Sequence, residues 1–253
     1  MTARMIANKV IVVTGASSGI GKSIAQLFAR DGAAVVVSDL KEDAGEQLVA
    51  EIRAAGGEAM FVAANVAKPA DCERTVNAAL ERYDRLDCAC NNAGISGEQK
   101  PTAELSIEGW EKVIAINLSG VFYGMKYQIP AMLKTGGGSI VNMASILGQV
   151  GFANASAYVA AKHGVVGLSQ NAALEYATKK IRVNAVGPGF IHTPLLKPLE
   201  DDPRVLENLL SLHPMGRLGE PAEVAELVLW LSSGKSSFVT GAYYPIDGGY
   251  LAR

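Results

Sequence analysis

A chain of 253 residues with 49% hydrophobic and only 19% charged side chains carries enough apolar surface for one large core, and α/β folds of this length commonly form one domain. Its formal net charge is -2 with Lys and Arg scattered along the chain, so phosphate backbones and anionic lipids find no footprint, and neither nucleic acid nor membrane is an expected partner. No apolar run approaches the roughly 18 residues of a spanning helix, the N-terminal MTARMIANK lacks a signal-peptide core, and the free thiols expected of three cysteines point to a reducing cytoplasm.

Short apolar runs alternate with longer helical patterns from end to end. The first run, VIVVTG, passes into the helical pattern GKSIAQLFARDG through a loop carrying Gly15, Gly19 and Gly21. Glycines there permit a tight turn and close backbone approach, and the helix N-terminus offers free amides, which suits a pyrophosphate. The spacing is G-x-x-x-G-x-G and differs from the commoner G-x-G-x-x-G. The same letters, Gly15 to Gly19 around Ser17, also fit the G-x-S-x-G elbow of α/β hydrolases, with Asp201 and His213 as nominal partners. That rival places the elbow on the first strand, with no earlier strand to supply an oxyanion loop, and leaves Gly21 unexplained.

The second run, AVVVSD, closes on Asp39 at roughly the 20-residue distance from the glycine loop at which a carboxylate meets the adenosine ribose hydroxyls. Its charge repels a 2'-phosphate and the next residue, Leu40, offers no cation, so NAD is expected over NADP; Lys41, one position further, softens that choice. EAMFVAAN, the helical PADCERTVNAALERYD and the strand LDCACNNAG follow. Cys72, Cys88 and Cys90 read as buried thiols, and His163, His192 and His213 lack short ligand spacings, so no metal is assigned.

Asn117 then interrupts the apolar helix WEKVIAINLSGVF, where a polar side chain can hold a kink or a water. GSIVNMAS is the next strand, and SAYVAAKHG opens the next helix with Tyr158 and Lys162 one turn apart on one face. Alone, that pair is a half-buried tyrosine beside a snorkelling lysine. IRVNAVGPG and the helical EPAEVAELVLWLSS complete the series, with Gly32, Gly56-Gly57 and Pro221 as helix punctuation. Continuous apolar strands are those of a parallel sheet covered on both faces, so the predicted architecture is a single doubly wound α/β domain over residues 1–253.

The motifs T-G-A-S-S-G-I-G (14–21), N-N-A-G (91–94), Asn117 in INLSG, Ser145 in SIVNMAS, Y-V-A-A-K (158–162), P-G-F-I-H-T (188–193) and D-G-G (247–249) together resemble the short-chain dehydrogenase/reductase family over nearly the whole chain. The resemblance implies a Rossmann-like, seven-stranded parallel sheet and an NAD(P)-dependent oxidoreductase, usually a homotetramer. It implies cofactor contacts from Gly15, Ser17, Ser18, Gly19, Ile20 and Gly21, from Asn65 and Val66, and from Asn92, Ala93 and Gly94. Pro188, Gly189, Ile191 and Thr193 resemble the positions that hold the nicotinamide carboxamide. Asn65 stands where the family often has Asp, and its amide oxygen can still accept from the adenine amino group.

A phenol with a pKa near 10 is a poor base at neutral pH, but the Lys162 ammonium, joined by an oxidised nicotinamide, favours tyrosinate at Tyr158. By resemblance Ser145 hydrogen-bonds the substrate oxygen, and a water at Asn117 relays protons to Lys162. The helix AYVAAKHGVVGLSQNAALEYA has small residues around much of its circumference, which implies a second buried face and a homo-oligomer.

The segment 190–216 overhangs the nicotinamide end as a lid, with Leu206, Leu209, Leu210 and Met215 along one side. Phe190, Leu195 and Leu196 on one wall, and Leu147, Val150 and Phe152 on the other with Ser145 and Tyr158, form the expected pocket. The leucines could equally only pin the lid to the core. The wall ILGQVGFANASAY has no charged residue, so the expected substrate is a compact, mainly apolar secondary alcohol or ketone. Alternatives are a sugar or polyol dehydrogenase and, in another class, a dinucleotide-binding protein without turnover.

Overall fold

A computed structural model describes residues 4–253; the first three residues of the expected domain lie outside it. Seven parallel strands form one sheet in the order β3-β2-β1-β4-β5-β6-β7. They are β1 (Val10–Thr14), β2 (Ala34–Asp39), β3 (Glu58–Ala63), β4 (Cys88–Asn91), β5 (Gly138–Met143), β6 (Ile181–Pro188) and β7 (Tyr243–Ile246). Every side chain of β1 is buried, as a central strand covered on both faces requires. The edge strand β7 carries Pro245, whose missing N–H is tolerated at a sheet edge. Its four residues include no long apolar run, which is why sequence pattern alone does not reveal it.

The helices are α1 (Gly19–Arg30), α2 (Glu42–Ala54), α3 (Pro69–Tyr83), α4 (Ile107–Ile114), α5 (Gly120–Lys134), α6 (Ser156–Tyr176), α7 (Lys197–Glu200), α8 (Pro203–Ser211) and α9 (Pro221–Ser232). On one face of the sheet, α1 and α9 close over Ile11, Val13, Val35 and Val37. On the other, α3, α5 and α6 cover Val12, Val36, Ile140 and Val183. The order reverses between β1 and β4, so the carboxyl ends of both open into one crevice, the usual ligand position in such sheets. Among the described residues no helix is long and apolar enough to cross a membrane.

Candidate active site

The glycine loop after β1 is shaped by steric need. Gly15 and Gly19 have φ of 63° and 54°, and a Cβ on Gly21 would stand 2.2 Å from the Gly15 carbonyl oxygen. The first turn of α1 holds no acidic residue, and no side chain caps it. Its amides are therefore available to an anion. At the end of β2 the Asp39 carboxylate accepts from Ser17 N–H at 3.0 Å and Lys41 N–H at 3.1 Å, which brings it beside the glycine loop. Ser17 is buried and Ser18 exposed at the helix mouth, where Ile20 is half-buried.

Beyond β3, Asn65 Oδ1 accepts from Ala67 N–H at 3.0 Å, so one lone pair of the amide expected to meet adenine serves a local turn. Val66 packs against the start of α5, within 3.1 Å of where a Cβ on Gly120 would lie. After β4, Asn92 Nδ2 donates to the Thr14 carbonyl at 2.9 Å, and Asn92 and Ala93 N–H both donate to Thr14 Oγ1. Thr14 thus binds the N-N-A-G corner to the glycine corner.

Asn117 is fully buried in a π-turn, Ala115–Ser119, that joins α4 to α5. The expected kink is this turn. Its amide accepts from Ile95 N–H at 2.9 Å and donates to Ile95 O at 2.8 Å, fastening the chain that follows Gly94. A Cβ on Gly94 would stand 3.3 Å from Asn117 Oδ1 and 3.8 Å from Lys162 Nζ, so these groups gather at one place.

Ser145 follows β5, buried, and its Oγ accepts from Leu147 N–H at 3.2 Å while lying near enough to Tyr158 to favour its ionised form. It is a strand-end cap and a neighbour of the phenol at once. Lys162, one turn beyond Tyr158 on α6, is buried with Nζ donating to Met143 O at 2.7 Å and lying 5.4 Å from the Tyr158 ring centroid. Across the crevice, Thr193 Cγ2 lies 3.2 Å from where a Cβ on Gly19 would be, and Ile191 pairs with Gly219. Pro188 is buried at the end of β6, and Gly189 N–H donates to Ile246 O at 3.0 Å, so β7 fixes the loop that carries them.

A family model described as enoyl-(acyl carrier protein) reductase matches residues 15–251. Cyclohexanol dehydrogenase of Acinetobacter sp. (strain SE19) is 52% identical over 246 residues, 97% of this chain and 96% of that protein. The chain belongs to the short-chain dehydrogenase/reductase family. Levodione reductase of Leifsonia aquatica is 39% identical over 97% of this chain and 95% of its own. A solved levodione reductase has a TM-score of 0.93 at 38% identity, covering 98% and 99% of the two chains. A candidate NAD(P)-dependent gluconate 5-dehydrogenase from Beutenbergia cavernae, solved with bound NADP, has a TM-score of 0.94 at 35% identity over 99% and 100%.

As a short-chain dehydrogenase/reductase the chain is an oxidoreductase that binds a nicotinamide dinucleotide. Two sets of contacts near the site have no local sequence signal. Tyr243 of β7 donates to the Ser145 carbonyl at 2.9 Å, fixing Ser145 across a sequence separation that only the β6–β7 pairing closes. Asn91 exchanges hydrogen bonds with Gln128 and donates to Asn142 at 2.9 Å, and Asn142 donates to Ser169 at 2.9 Å. This buried amide chain ties β4 and β5 to α5 and α6 below the catalytic corner.

In this short-chain dehydrogenase/reductase, with no dinucleotide beside it, burial raises the Tyr158 phenol above its ordinary value, opposed by Ser145. Lys162 itself is brought down by burial to about 8. The low-dielectric setting acts on both groups, each against its charged form.

The lid residues also sort differently from the sequence pattern. Leu196 and Leu209 are buried with Leu218, and Leu206 and Leu210 pack on that cluster, so these leucines pin the segment to itself. Leu195 and Met215 are 50% and 64% exposed, and Met215 follows the end of α8 instead of extending its apolar side. On the other wall Leu147 is buried, Val150 and Phe152 are half-buried, and the Phe152 ring meets that of Phe190 edge-on with centroids 6.0 Å apart.

Proposed function

We propose that this chain oxidises compact, mainly apolar secondary alcohols, cyclic ones foremost, and reduces the matching ketones, with NAD as cofactor. The observation that carries the reading is the half-buried Tyr158 close to Ser145, with a buried lysine one turn behind it. Cyclohexanol dehydrogenase, by its name, acts on a six-membered carbocycle, and the stretch from Ser145 to Tyr158 in this chain has no charged residue to meet a polyol.

The residues present fit a dinucleotide: a glycine cradle that no Cβ can enter, the free amides of α1, and Asp39 at the adjoining strand end. When bound, the dinucleotide supplies the hydride acceptor or donor. Gly15 to Gly21 would hold its pyrophosphate, Asn92 to Gly94 its ribose, and Ile191 and Thr193 its carboxamide. Asp39 selects for NAD, because its carboxylate meets ribose hydroxyls well and a 2'-phosphate badly. In oxidation, Tyr158 Oη removes the alcohol proton, Ser145 Oγ donates to the substrate oxygen, and Lys162 holds positive charge next to the phenolate. Asn117 keeps the Gly94 corner fixed against Lys162.

A second reading, a polyol dehydrogenase that accepts NADP, takes its support from the gluconate 5-dehydrogenase candidate with bound NADP. The catalytic assignment is the same in both. Tyr158→Phe should lower cyclohexanol turnover by about a thousandfold or more with NADH affinity nearly unchanged, because the ring stays and only the proton-transfer group is lost. Turnover within a fewfold of wild type would remove Tyr158 from the mechanism.

A further inference from the structure

The D-G-G motif takes no part in the chemistry above, yet it bends the end of the chain into a hook. Asp247 accepts from Gly249 N–H at 3.0 Å and Leu251 N–H at 2.9 Å. Gly248 and Gly249 adopt φ of 58° and 90°, which residues with a Cβ rarely tolerate. Met215 N–H donates to Gly248 O at 3.1 Å, and a Cβ on Gly249 would stand 3.1 Å from Pro214. The hook is thereby laid against the segment that follows α8.

That placement sets Tyr250 beside His213 and Phe190, with ring centroids 5.7 Å and 6.2 Å away. His213 is buried, and both ring nitrogens are engaged: Nδ1 with Leu209 O at 2.8 Å, and Nε2 accepting from Phe190 N–H at 3.3 Å. The imidazole is therefore a strut between α8 and the backbone of Phe190. Phe190 in turn packs on His213 at 5.7 Å and on Phe152 at 6.0 Å. Behind Phe190 lies a cleft of about 100 Å³ bordered by Ile191, His213, Asp247 and Gly248, with Tyr250 two residues beyond Gly248. Phe190, which itself borders this cleft, is held by three aromatic neighbours, Phe152, His213 and Tyr250, and loss of the Tyr250 ring removes one of them.

We infer that Tyr250 is a specificity-determining positioning residue: through His213 and Phe190 it holds an aromatic wall facing Phe152 that limits the substrate to one small ring. The inference rests on the cyclic-substrate reading above. Tyr250 touches no reacting atom, so it acts on fit and leaves proton transfer alone.

The test compares wild type, Tyr250→Ala and Tyr250→Phe on cyclohexanol, cyclododecanol and glucose, with NADH affinity measured alongside. In Tyr250→Ala the KM for cyclohexanol should rise about tenfold with kcat little changed, and the preference for cyclohexanol over cyclododecanol should shrink by a similar factor. Tyr250→Phe, which keeps the ring, should hold the wild-type preference, and NADH affinity should be the same in all three. An unchanged preference in Tyr250→Ala, or a fall in NADH affinity that parallels the KM change, overturns the inference while leaving the cyclic-substrate reading intact. A wild type that prefers glucose overturns that reading and the inference with it.

Discussion

Burial raises the Tyr158 phenol, whereas a base for alcohol oxidation must lose its proton readily, so the groups around it have to supply the opposing force. Ser145 supplies part from close by, and Lys162 supplies a positive charge as long as it keeps its proton, which burial has loosened to about pH 8. The signs follow from these directions. Oxidation needs tyrosinate, so its rate should climb from mildly acidic pH until Lys162 begins to deprotonate; ketone reduction needs the phenol, which its raised pKa keeps protonated there, and should change little over the same range. Initial rates in both directions across that range check this, and a flat oxidation profile would contradict Tyr158 as the base. The pair itself was legible as a four-residue spacing. Which way the enclosure moves each group was not, because desolvation depends on what the whole fold packs above them.

Asp87 shows how one carboxylate organises strand ends. It sits just before β4, accepts from Val10 N–H of β1 at 2.9 Å, and is flanked by Arg85 at 2.6 Å and Lys9 at 3.0 Å. Burial alone would push its carboxyl up, but the hydrogen bonds from Arg85, Val10 and Lys9 outweigh it and hold the group below its ordinary value. A carboxyl held low in the folded state contributes stability above the usual carboxylate range and loses it as pH falls through its lowered pKa. Asp87→Asn should therefore destabilise the fold by about 1–3 kcal/mol at neutral pH, with the deficit shrinking in acid. Denaturant melts at neutral and acidic pH measure it; a deficit that grows in acid would contradict the assignment. Strands β1 to β6, the glycine corner and helix α6 were legible because their signals are local runs and spacings. Thr14 binding the N-N-A-G corner, Tyr243 on Ser145, and the Asn91–Asn142–Ser169 chain were not, since each depends on which strands become neighbours. The lid leucines misled for a related reason: an apolar stripe reports burial without saying against what, and Leu196 and Leu209 bury against each other's segment.

The sheet order brings the glycine loop, the N-N-A-G corner, Ser145 and the Ile191–Thr193 loop to one edge, so chemistry spread from residue 15 to residue 193 converges on one crevice. Elsewhere the surface keeps apolar side chains exposed: Phe122 on α5, Leu174 at the far end of α6, Ile107 and Trp110 on α4, and Phe238 before β7. The outward side of α6 also presents His163 and, near the middle of the helix, Gly167, which has neither charge nor bulk. These faces support the proposal that copies of the chain assemble, as a homotetramer by family resemblance, and light scattering at micromolar concentration should return an oligomer; a monomer would contradict it. The proposed activity itself is tested most directly by kcat/KM of the wild type for cyclohexanol against glucose and ribitol, each with NAD and with NADP. The proposal requires cyclohexanol with NAD to be the best combination by about tenfold or more; a clear preference for a polyol, or for NADP, would contradict it.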